Sequence, residues 1–159
     1  MNRAIHENRV KVHPVGLFQF HTIFKQIIYL CHKCEWAYSE LWIPDKDERF
    51  MVNVDTWANS DRKLGKISQL SPYFKFAKGI GLIGKVWDSS DIIIIEDIRK
   101  DKSFLRTEVA SIGSLFCAVG VPIMQNSQVR AIIAFLLTSH TEKDQEVFNS
   151  IKNQFSEFF

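Results

Sequence analysis

Long apolar runs are missing from this chain. The longest, Ala131 to Leu137, falls far short of the ~20 residues that a membrane helix needs, and the polar N-terminus has no signal-peptide core. Blocks of one charge are missing too: 20 basic against 18 acidic residues leave a formal charge of +2, with no five like charges in a row. That balance argues against nucleic acid as a partner. Cysteine is scarce, and three is an odd number, which fits a reducing compartment better than a disulfide scaffold. A cytoplasmic chain is expected. What is present is ordinary globular material, 159 residues with 46% hydrophobic and 24% charged, enough for one domain with a core and unlike disordered or fibrous chains.

Motifs that would announce catalysis are also absent. The histidines (His6, His13, His21, His32, His140) fall in the N-terminal tail, the first helix and a loop, with no nucleophile elbow near them. Glu40 and the pair Glu96-Asp97 are acids with acid/base capacity, but a charge after a buried strand reads as the strand exit. Cys31-His-Lys-Cys34 lacks the following histidine of a haem-attachment site, has no second pair to complete a zinc site, and ends a helix rather than following a strand. No metal site is expected. Gly79, Gly81 and Gly84 spell a dinucleotide fingerprint, yet the approach Ser71-Pro-Tyr-Phe-Lys-Phe-Ala-Lys78 carries a proline and two lysines and no β-branched run, and Asp88-Ser-Ser-Asp91 ends the following helix after about two turns. Turns and close packing are the expected role of these glycines.

Residues 1–13 read as a flexible polar arm and 14–159 as a single domain. Pro14 suits a first helical turn, and Leu17, Phe20, Phe24, Ile27, Ile28 and Cys31 recur at helical spacing, with Phe18, Ile23 and Leu30 widening the stripe. Glu35 to Ile43 alternates as a strand, placing Trp36, Tyr38, Glu40 and Trp42 on one face. Phe50 to Trp57 returns as its hairpin partner, and residues 58–71 read as a loop with one helical turn. Ile92 to Ile95 is a strand covered on both faces. Residues 104–112 read as a helix stopped by Gly113. Phe116 to Met124 and Val129 to Thr138 form a second hairpin around Gln125 to Gln128. Thr141 with Asp144 marks the start of a last helix, carrying Val147, Phe148, Ile151, Phe155, Phe158 and Phe159. Two hairpins, a separate strand and flanking helices make an α+β domain on an antiparallel sheet.

Several features stand in order along the chain: an opening strand Cys34-Glu-Trp36-Ala-Tyr38-Ser-Glu40-Leu-Trp42-Ile-Pro44, the glycine turn, a short helix ending Val86-Trp87, a buried strand followed by Asp97-Ile98, Phe104-x-Arg106, and a strand ending Val121-Pro122-Ile123. In that order and spacing, over about residues 16–159, they resemble GAF domains, particularly those of bacterial sensor histidine kinases. The resemblance implies a central antiparallel sheet with the first and last helices on one face and a pocket on the other. Tyr38, Glu40, Trp42, Trp87, Asp97, Phe104, Arg106 and Cys117 are then the candidate ligand-binding residues, Arg106 suited to a carboxylate or phosphate. It further implies a non-catalytic signalling module that binds a small ligand, dimerises, or both, to regulate an output domain such as a histidine kinase. The family alternatives are a cysteine-based reductase of free methionine sulfoxide and a pure interaction domain with a filled pocket. No chromophore cysteine lies near Phe104 to Gly113, and the cyclic-nucleotide signature is not found, so bilin and cyclic nucleotides are disfavoured and the ligand is open. The phenylalanines of the terminal helices suggest a homodimer through a four-helix arrangement, and Phe158-Phe159, with no stop signal after them, suggest a helix that continues in a longer protein.

Overall fold

The computed structural model describes residues 14–106, 111–112 and 114–155, and side chains from residue 19 onward. Helix α1 (Pro14–Cys34) buries Phe20, Ile23, Phe24, Ile27 and Cys31, the three- and four-residue recurrence that one helical face requires. It ends where Glu35 turns left-handed (φ 56) and the Trp36 amide bonds the Cys31 carbonyl at 2.9 Å. Strands β1 (Tyr38–Pro44) and β2 (Met51–Ala58) form the first hairpin. Residues 62–70 are a full helix, α2 (Arg62–Leu70), capped by Asp61 through the Lys63 amide. The expected single helical turn was too short because only Leu64 and Ile67 are buried, too few to establish a period, and Gly65 weakens the signal.

A short 3-10 turn (Ser71–Tyr73) leads into β3 (Lys75–Phe76), then α3 (Gly81–Ser89) and β4 (Ile93–Ile95). Phe104 to Arg106 are not helical. Asp101 takes the Ser103 amide on its side chain at 2.8 Å and the Phe104 amide on its carbonyl at 3.2 Å, a local turn that competes with a helix start. Residues 107–110 and Gly113 of the expected helix lie outside the described residues, as do the N-terminal arm, Phe158 and Phe159. Strands β5 (Cys117–Gln125) and β6 (Gln128–Leu137) close a tight hairpin in which Asn126 and Ser127 both have positive φ, as two-residue turns demand. Helix α4 (Glu142–Phe155) starts on a reciprocal cap: Thr141 Oγ1 accepts the Asp144 amide at 3.3 Å and Asp144 Oδ2 accepts the Thr141 amide at 2.8 Å. Aspartate thus completes the box that glutamate usually fills.

The six strands run in the order β3-β2-β1-β6-β5-β4, every pair antiparallel. This is an α+β domain with two cores. On one face α1 and α4 pack over Leu41, Val119, Val121, Ile133 and Phe135; on the other, residues of α2 and α3 pack over Tyr38, Trp42, Ala118, Ile132 and Ala134. One assignment is corrected: Trp36 belongs to the helix side and Ala37 to the other. Pairing starts only at Tyr38, so the alternation does not extend back through the turn. Trp36 stacks on Phe148 at 4.8 Å and donates its indole N–H to Asp144 at 3.0 Å.

The glycines serve geometry. Gly79 and Gly81 have φ of 79° and 64°, and a Cβ on Gly84 would collide with the Ala77 carbonyl oxygen. The strand ahead of them has two residues at the sheet edge, and no described strand pair is parallel, so the βαβ frame of a dinucleotide fold is not built here.

Candidate functional site

Period-two alternation along β1 turns Tyr38, Glu40 and Trp42 away from the terminal helices, and the segment after β4 brings Arg106 over them. The centre is a buried ion pair, Arg106 Nη1 to Glu40 Oε1 at 2.7 Å, with side-chain exposures of 3% and 0%. The same carboxylate oxygen accepts from the Tyr38 hydroxyl at 2.8 Å and from the Ser71 hydroxyl. The other oxygen accepts the Trp42 indole N–H at 2.8 Å. Aromatic rings complete the cage: the guanidinium carbon lies 5.6 Å from the centroids of Trp42 and Phe104 and 6.0 Å from that of Phe76, within cation–π range.

Burial alone would push the Glu40 carboxyl up. The Arg106 charge and hydrogen bonds from Arg106, Ser71 and Tyr38 outweigh it, so the carboxyl is held below its usual range. The Tyr38 phenol moves the other way, raised by burial and then by the neighbouring carboxylate. Chemically, Glu40 is held as the carboxylate, with both oxygens engaged. Arg106 with its rings is an anion-recognising group whose anion is supplied by the protein itself.

Of the eight residues expected at the site, Tyr38, Glu40, Trp42, Phe104 and Arg106 come together. Trp87 lies in the same apolar cluster, with the Lys78 ammonium 5.3 Å from its ring. Asp97 does not join them; at the exit of β4 it takes two hydrogen bonds from the Arg99 guanidinium at 3.1 Å, which hold its carboxyl below the usual range. Cys117 is on the wrong face. Residues 118 and 119 alternate, Ala118 toward α3 and Val119 toward the terminal helices, and Cys117 goes with Val119. A strand apolar on both faces gives no phase from which to read that choice.

Sequence reasoning missed Ser71 and Phe76. Ser71 is fully buried at the end of α2, and a lone serine in a polar stretch carries no signal of burial. All three cysteines sit on the terminal-helix side or in α1 itself. Burial, then Cys34, pushes the Cys31 thiol up to about 12, and burial followed by Glu96 and Asp97 raises that of Cys117, which makes neither an activated nucleophile. A cleft of about 710 Å³ also lies on that side, between the end of α1, the end of β6 and the first turn of α4, lined by Cys34, Trp36, Thr138, Asp144 and Val147 among others.

No family model matches the chain, and no curated protein does. Solved structures match over nearly its full length. A GAF domain/HD domain protein from Geobacter sulfurreducens aligns with a TM-score of 0.70, covering 91% of this chain and 94% of that one at 12% identity. The fold is that of a GAF domain. The type II free methionine-R-sulfoxide reductase from Thermoplasma acidophilum aligns at 0.66, covering 89% and 92% at 12% identity. The GAF domain of a phosphoenolpyruvate-protein phosphotransferase from Coxiella burnetii aligns at 0.64, covering 89% and 90% at 16% identity. GAF domains of larger proteins and a free methionine-R-sulfoxide reductase therefore share this architecture, and the fold alone does not choose a function. No helix among the described residues is long and apolar enough to cross a membrane.

Proposed function

We propose that this GAF domain is a non-catalytic regulatory module. It controls an output domain such as a histidine kinase, in the same chain or in a partner protein, through its terminal helices and a homodimer they form. The observation that carries this reading is the closed Glu40–Arg106 pair on the side where a small ligand would sit, with every cysteine elsewhere. A thiol-based reductase needs a sulfur beside its substrate, and no described thiol reaches the aromatic cage. A ligand reaches Arg106 only by displacing Glu40, which favours a small carboxylate or phosphate able to replace the pair's charge and hydrogen bonds. In its absence the pair holds the domain shut.

The test is an assay of free methionine-R-sulfoxide with a thiol reductant, run beside native mass spectrometry of freshly purified protein. The expected result is no turnover, with either a bare dimer or a dimer carrying a small anion. Turnover that disappears on replacing any one of Cys31, Cys34 or Cys117 by serine would overturn the reading.

A further inference from the structure

Outside the cage, one cluster brings three different metal-binding groups together. Glu96 leaves the end of β4, Cys117 opens β5 and His140 sits in the turn between β6 and α4. The backbone fixes all three. Ile95 pairs with Ala118 and Cys117 with Leu137, while the Phe116 amide bonds the Leu137 carbonyl at 2.9 Å and the Ile98 amide bonds the Phe116 carbonyl at 2.8 Å. The Thr141–Asp144 cap begins immediately after His140.

We propose that Glu96, Cys117 and His140 bind a divalent first-row transition-metal ion, with zinc as the best fit. His140 Nδ1 lies 3.7 Å from Cys117 Sγ and 3.4 Å from Glu96 Oε2, and one ligand atom from each residue falls within 4.8 Å of the other two. The first separation is that of a hydrogen bond involving sulfur and the second that of a weak ion pair, and both also suit a shared ion. With zinc bonds of about 2.3 Å to sulfur, 2.0–2.1 Å to nitrogen and 2.0–2.2 Å to oxygen, neighbouring ligands of a tetrahedron stand roughly 3.3–3.6 Å apart. Glu96, with its side chain 75% exposed, is free to rotate and close the gap of up to about 1.2 Å between the 4.8 Å limit and that spacing, whereas Cys117 is buried and His140 largely so.

The donor set selects the ion. A thiolate, an imidazole and a carboxylate suit zinc, cobalt or iron, while calcium and magnesium take oxygen cages. On binding, the sulfur–metal bond replaces the sulfur–hydrogen bond that now points to the Glu96 carbonyl at 3.3 Å, and the proton leaves to solvent. Three protein ligands leave a fourth position for water or a small exchangeable ligand. The site is on the opposite face of the sheet from Arg106 and stands independently of the function proposed above.

Titration of the chelator-treated, reduced full chain with cobalt(II) tests this, because tetrahedral cobalt gives visible d–d bands and a thiolate ligand adds a charge-transfer band. The expected result is saturation at one cobalt per chain, displacement by zinc, loss of the charge-transfer band in Cys117→Ser, and affinity weakened by roughly tenfold or more in His140→Ala and in the surface variant Glu96→Gln. The double variant Cys31→Ser, Cys34→Ser should keep the full spectrum. No thiolate band in the parent, a band that survives in folded Cys117→Ser, or one lost only in the Cys31, Cys34 variant would each overturn the site. If Cys117→Ser does not fold by circular dichroism, the His140→Ala and Glu96→Gln affinities decide, and unchanged values refute it.

Discussion

Arg106 and Glu40 meet where neither has water to fall back on. Removing one partner of such a pair strands the other charge, at about 3–5 kcal/mol, whereas replacing both with apolar groups of similar size is often nearly neutral. The pair also has a pH signature. The folded Glu40 carboxyl is depressed below its unfolded value of about 4.3, so the folded state binds fewer protons between those two values. Its contribution is present in full above the unfolded value and is lost as pH falls through the folded one. Denaturant unfolding over a pH series should therefore show Arg106→Ala less stable by about 3–5 kcal/mol near neutrality, without the acid limb due to Glu40, and Glu40→Leu, Arg106→Met less damaged than either single change. An Arg106→Ala protein with the parent's acid limb would mean that the pair is not what holds Glu40 ionised. Half of this knot was readable: the period of β1 put Tyr38, Glu40 and Trp42 on one face. Ser71 was not, because its contact with Glu40 joins positions 31 residues apart and no pattern marks it.

At the scale of elements, the glycine segment was the most legible part of the chain, since three glycines at that spacing demand a backbone reason. The reason differs from one to the next. A Cβ added to Gly81, whose φ is positive, would lie 3.1 Å from the Phe76 ring, a strained but deformable setting, because a ring can turn aside. Gly84 faces the Ala77 carbonyl, and backbone cannot. Thermal unfolding should rank Gly84→Ala below Gly81→Ala, with Gly81→Ala itself losing roughly 1 kcal/mol or more. The reverse order would mean that the close approach of α3 to residue 77 is dispensable. Less legible were α2, with two buried side chains, and the faces of β5, whose near-continuous apolar text fits either phase. The metal-ligand cluster was invisible for a related reason: Glu96, Cys117 and His140 have no spacing that a linear motif could register.

For the whole molecule, the apolar stripes of the terminal helices were legible but their partner was not. Phe20, Phe24, Phe148 and Phe155 are buried within one copy, against the sheet and Trp36, so they are not the surplus surface from which a dimer was expected. The homodimer we propose must use the outer faces, where Tyr29 is 67% exposed. Light scattering across a dilution series should show Tyr29→Glu dissociating at higher concentration than the parent with unchanged thermal stability, while Phe155→Glu loses the fold. A parent that stays monomeric would remove the dimer from the proposal.

The middle of the sheet joins the first and last of the described strands, since β1 lies between β2 and β6, with Tyr38 opposite Leu136. During synthesis, β1 and β2 emerge early as a hairpin with an open edge, and the strand that covers this edge is the last of the six described strands to be made. Pairings that close so large a loop form slowly, and an unpaired edge is a template for other chains in the meantime. The newborn protein thus passes through a window of vulnerability that ends only when β6 clears the ribosome, and a chain truncated before β6 would be expected to aggregate rather than persist as a smaller domain.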